Sequence, residues 1–184
     1  VIERYVQANR KPTPEHAKLL YGAIFHNTLD LLASNTAPRD KVAIKFLEEN
    51  YGLNHQMISD MLAYSTKSIF ADIRKALRED FKTFDPYIFY QLIVWGGDLR
   101  AHEDEIRSTL QELQQKSNSQ WSILSVVDLE KRQNIFYAES PKAKAVLEQT
   151  LGVKFDDNWA TLSPVLLRKQ IYPKIDAVLK KPQK

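Results

Sequence analysis

The sequence predicts a mainly α-helical protein: a helical N-terminal domain over residues 1–84, then an α+β domain over residues 85–184 that contains a β-hairpin. Two observations predict it. Apolar residues recur at helical spacing through most of the first 80 positions, and β-branched and aromatic residues gather after Lys116. A polar hinge near Lys82 to Asp85 divides the two parts.

Residues 1–12 read as an entry arm. Thr13-Pro14-Glu15 reads as an N-cap followed by Pro at the first helical position, and Ala17, Leu20, Tyr21, Ile24, Thr28, Leu31 and Leu32 keep one helix going to about Ser34. A second helix starts at Pro38 or Arg39, buries Val42, Ile44, Phe46 and Leu47, and ends at Tyr51-Gly52-Leu53 with Gly52 as its C-terminal cap. Two short helices are expected next. Asn54 caps one that runs through Met57, Ile58, Met61 and Leu62, and Ser65 or Thr66 caps one that carries Ile69, Ile73, Ala76 and Leu77. Asp85-Pro86 opens a strongly apolar run from Tyr87 to Trp95, core by composition, closed by Gly96-Gly97. Leu99, Ile106, Leu110 and Leu113 mark a further helix. Trp121 to Val127 and Ile135 to Tyr137 read as paired strands, Ser140-Pro141 starts a helix capped by Gly152, and Ser163-Pro164 starts a last one that Pro173 interrupts.

Composition bounds the function. The absence of Cys removes disulfide, thiolate-nucleophile and iron–sulfur chemistry. No run reaches the roughly 18–20 apolar residues of a membrane span, so a cytoplasmic protein is expected, and the start at Val1 suits a processed or excised chain. The formal charge of +3 is unevenly spread: +2 over residues 1–84, −4 over 85–160 and +5 over 161–184. Polyanion contacts are therefore local. His16, His26, His55 and His102 fit no metal-ligand spacing, and no phosphate loop or nucleophile elbow appears, so neither an enzyme nor a cofactor is expected.

The most informative stretch is Ile58 to Ile69. Ile58 and Leu62 lie four apart, Ser59 is small, Ser65 sits where a turn is expected, and Ile69, Ile73 and Leu77 repeat every four residues. This is the pattern of a helix-turn-helix, whose second helix enters the DNA major groove. It resembles the DNA-binding motif of LuxR/GerE-type regulators and of sigma factor region 4 over about residues 37–80, with Tyr51-Gly52-Leu53 similar to the end of the scaffold helix in region 4. The resemblance implies that Thr66, Lys67, Ser68, Ala71, Arg74, Lys75 and Arg78 face double-stranded DNA. Phe70 and Asp72 depart from the polar, non-acidic residues usual in those families at these places.

The expected function is thus a sequence-specific transcriptional regulator of bacterial, phage or mobile-element origin. Its C-terminal part would serve dimerisation, sensing or partner binding, with no membrane contact. The alternative is a protein-interaction or assembly module without nucleic-acid binding, and a third reading is RNA binding through exposed aromatics beside basic residues.

Overall fold

The computed structural model describes residues 2–8 and 10–180. The chain divides into two compact units, residues 1–62 and 63–184. The division falls upstream of the polar segment near Lys82 to Asp85, because that segment belongs to a strand of the second unit.

The first unit is helical. It holds α1 (Ile2–Gln7), α2 (Pro14–Thr28), α3 (Pro38–Tyr51) and the first part of α4 (His55–Ala71). Thr13 caps α2 through its hydroxyl, which accepts from the His16 N–H, and Gly52 ends α3 at φ +64°. Ala17, Tyr21, Phe25, Ile44, Leu47 and Ile58 form its core. The α2 helix stops at Thr28, six residues before the expected Ser34, because Leu29, Asp30 and Leu31 all take left-handed φ values. Such a run costs roughly 1–2 kcal/mol per residue and needs external support. Support comes from the Thr28 hydroxyl, which accepts from the Leu31 N–H at 3.2 Å, and from the buried Asp30 carboxylate, which meets His55 Nε2 at 2.6 Å.

The second unit is built on a five-stranded mixed sheet of order β1-β2-β3-β4-β5, made of β1 (Phe81–Phe84), β2 (Tyr87–Val94), β3 (Trp121–Asp128), β4 (Gln133–Tyr137) and β5 (Trp159–Leu162). Only the central pair is parallel, with β2 residues Tyr87 to Val94 in register with β3 residues Trp121 to Asp128. The other three pairings are antiparallel. α6 (Glu103–Lys116) makes the crossover from β2 to β3, and α7 (Pro141–Leu151) joins β4 to β5. Ile88, Tyr90, Leu92 and Val94 of β2 pack in one core with α5 (Ile73–Glu79) and α6. Tyr87 and Phe89 pack in a second core with α7 and α8 (Arg168–Leu179). A strand covered on both faces reads as an unbroken apolar run, which is why Tyr87–Trp95 gave no alternation.

The expected mainly α fold is therefore corrected to an α/β one. The helix-turn-helix is absent for a local reason: no Gly or Pro lies between Gly52 and Pro86, and α4 runs unbroken through Ala63-Tyr64-Ser65, where the turn was expected. The break falls at Asp72, whose carboxylate accepts from the Lys75 N–H at 2.9 Å and caps α5. Among the described residues no helix is long and apolar enough to cross a membrane.

Candidate functional site

In sheets with a parallel core, ligands gather beyond the carboxyl ends of the parallel strands. Here those ends are Val94 of β2 and Asp128 of β3. Gly96 and Gly97 follow β2 at φ +67° and +104°. A Cβ on Gly97 would lie 2.3 Å from the Phe70 ring, so only Gly fits. Asp128 is buried and ties the two ends together: its Oδ1 accepts from the Gly96 N–H at 3.2 Å and from the Lys131 N–H at 3.1 Å.

The residues expected to face DNA are dispersed among other tasks. Thr66 is buried, and its hydroxyl accepts from the Trp95 N–H at 2.7 Å, so it anchors α4 to the end of β2. Ser68 turns its hydroxyl back to the Tyr64 carbonyl. Lys75 pairs with Glu79 at 3.9 Å, and Arg78 pairs with Glu112 at 2.8 Å. Lys116, ahead of Arg78, holds the Glu112 carboxyl down at about 2. Lys67, Ala71 and Arg74 are exposed. Phe70, which a reading helix would present to solvent, stacks on the His102 ring at 5.2 Å and joins the core beneath α6. Among the described residues Lys75 and Arg78 have acidic partners and Lys67 and Arg74 have none.

Two exposed cations stand apart from these pairings: Lys67, one of the residues expected to face DNA, and Lys169, which motif reading passed over. Lys67 follows the anchored Thr66 and is exposed beside the end of β2. On α8, Arg168 is committed to the fold: its N–H donates to Gln91 Oε1 at 2.7 Å, and its guanidinium pairs with Asp80 at 2.8 Å. The next residue, Lys169, is exposed in the first turn of α8, where the helix dipole favours anions. Neither Lys67 nor Lys169 makes an ion pair among the described residues. The signal in the sequence for Lys169 is the +5 charge of residues 161–184.

No family model matches the chain. It is similar to a protein of Deinococcus radiodurans named as a probable manganese-dependent inorganic pyrophosphatase, at 24% identity over 96% of this chain and 60% of that one. The chain thus spans less than two thirds of that relative. Among solved structures, a candidate family II inorganic pyrophosphatase of Methanococcus jannaschii matches with a TM-score of 0.73 at 21% identity, over 94% of this chain and 58% of that one, which establishes the fold. An exopolyphosphatase-related protein of Bacteroides fragilis matches at 9% identity and a TM-score of 0.40 over 91% of this chain and 50% of that one, too distant to support an inference.

These likenesses overturn the resemblance to LuxR/GerE regulators and sigma region 4. With it fall the expectations of transcription control, of duplex DNA as partner, of a non-enzyme, and of an interaction module as the alternative. The resemblance, stated over about residues 37–80, was carried chiefly by Ile58 to Ile69, whose helical spacing one continuous helix satisfies equally well.

Proposed function

We propose that the chain is part of a phosphohydrolase that cleaves small phosphoanhydrides such as pyrophosphate. The observation that supports this most is the likeness to a pyrophosphatase along 96% of the chain, with a matching fold over 94%. In hydrolysis of this kind a water oxygen bonds to one phosphorus as the bridging P–O bond breaks. The departing phosphate keeps the electron pair, and the water gives up a proton. Charge spreads over the non-bridging oxygens, so the protein's task is largely positioning and electrostatic stabilisation. We assign Lys67 and Lys169 to that task as phosphate contacts.

The relative's name carries manganese. Among the described residues no group of three or more His, Asp or Glu comes together as a donor set. These residues do not fit a manganese centre.

The test is phosphate release from pyrophosphate by the full chain, with manganese supplied in solution. Release above a heat-denatured control is expected, with kcat/KM reduced about tenfold or more by Lys67→Ala and by Lys169→Ala. Release no faster than the control would count against the reading.

A further inference from the structure

The second unit contains a cavity of about 340 Å³ on the α6 side of the sheet, below the Gly97 turn and beside β4 and β5. Three cations line it: Arg100, Lys131 and Lys154. Two of them, Arg100 and Lys131, stand on fixed backbone. The Arg100 N–H donates to Asp98 Oδ1 at 3.0 Å, and its guanidinium lies 5.9 Å above the Trp159 ring. Trp159 is itself pinned, because its Nε1–H donates to Glu103 Oε2 at 2.9 Å, and that bond, ahead of bonds from Asn158 and Arg107, holds the Glu103 carboxyl below its ordinary value. The Lys131 backbone is held by the buried Asp128.

The acidic residues of the lining do not cancel this charge. Asp98 is occupied in capping the Arg100 turn, and Asp156 faces Arg100 at 3.6 Å with both side chains largely exposed, a weak pair in water. Lys131 and Lys154 make no ion pair among the described residues. At about 340 Å³ the cavity is roomier than one tetrahedral phosphate requires.

We propose that this cavity is a subsite for a linear oligophosphate, gripped by Lys131 and Lys154 and flanked by the Arg100 guanidinium. The inference deepens the proposed function and takes its substrate class from it. The ligand chemistry is a chain of phosphates, supplied either by inorganic polyphosphate or by the tail of a nucleoside triphosphate.

The test is calorimetric titration of the full chain, without metal, using tripolyphosphate and ATP as probes. Both lysines are exposed, so Lys131→Ala with Lys154→Ala is expected to fold. It should lose one binding equivalent, or weaken it at least about tenfold, since two charge-assisted hydrogen bonds go. A paired control, Lys41→Ala with Lys45→Ala in the first unit, should leave binding unchanged. Loss with both probes assigns the site to the phosphate chain of either source, and loss with tripolyphosphate alone assigns it to the inorganic chain. No loss with either probe, or equal loss in the control, overturns the subsite. The two readings fail separately. Binding that depends on Lys131 and Lys154 without pyrophosphate release anywhere leaves the subsite standing and removes the hydrolase. Release with binding indifferent to these lysines does the reverse.

Discussion

The two units solve the same problem, fixing polar groups in a small core, in opposite ways. The first is made of helices, and its buried carboxylate, Asp30, sits on a strained left-handed turn braced by His55. The second is made of a sheet whose polar groups are held by residues far away in sequence. Asn134 shows this best: its Nδ2 donates to Ser125 Oγ and to the Leu166 carbonyl, and its Oδ1 accepts from the Leu166 N–H. Arg168 does the same, reaching β2 through Gln91 and the α5–β1 junction through Asp80. In the second unit one side chain thus holds two elements in register.

That contrast is testable by truncation. The largest effect should come from the sheet core. Trp121 is buried and stacks on Tyr87 at 4.4 Å, so Trp121→Ala should cost about 3–5 kcal/mol, read by chemical denaturation. A cost below about 1 kcal/mol would mean that the second unit does not depend on this stack. Next come the two polar anchors. Asn134→Ala leaves the Leu166 backbone groups without their partner and should cost about 1–3 kcal/mol, as should Asp30→Ala, which unbraces the left-handed turn. If Asp30→Ala proves neutral while Asn134→Ala does not, local strain in the first unit relaxes without external support.

A smaller effect of opposite sign is expected at Arg132, exposed in the β3–β4 turn at φ +53°. Arg132→Gly should stabilise by about 0.5–1 kcal/mol, because Gly adopts this φ without the Cβ clash. A loss of stability there would show that the arginine side chain has a packing role. The smallest effect is one of pH. Glu112 is held at about 2 when folded, below its ordinary value of 4.5, by Lys116 and Arg78. Its contribution is thus complete above about pH 4.5 and is lost as pH falls toward 2. Glu112→Gln should flatten the acid limb of the stability profile in that window and leave it unchanged above, as followed by thermal unfolding across pH.

The same contrast explains what was legible in the sequence. The α3 boundaries, with Pro38 at the start and Gly52 at the end, follow from residues within one turn of each boundary. So does the Thr13 cap of α2. The sheet was not legible as a sheet. β2 carries no alternation because both its faces are covered, and β1 and β5 are four residues long with partners that only the fold supplies. Ser65 and Thr66 looked like caps because hydroxyls favour helix starts, yet the Thr66 hydroxyl serves β2, 29 residues away. The cations at the site were visible only as a charge imbalance near the C-terminus. Lys67 was singled out, but for a groove that the continuous α4 does not offer.

The claim that Lys67 and Lys169 meet the phosphates of a small phosphoanhydride is tested most directly by titrating the chain with imidodiphosphate, a pyrophosphate analogue that resists hydrolysis. Saturable binding is predicted, weakened about tenfold or more when Lys67→Ala and Lys169→Ala are combined and weakened further as salt rises. Absence of saturable binding, or equal affinity in the doubly substituted chain, would contradict it.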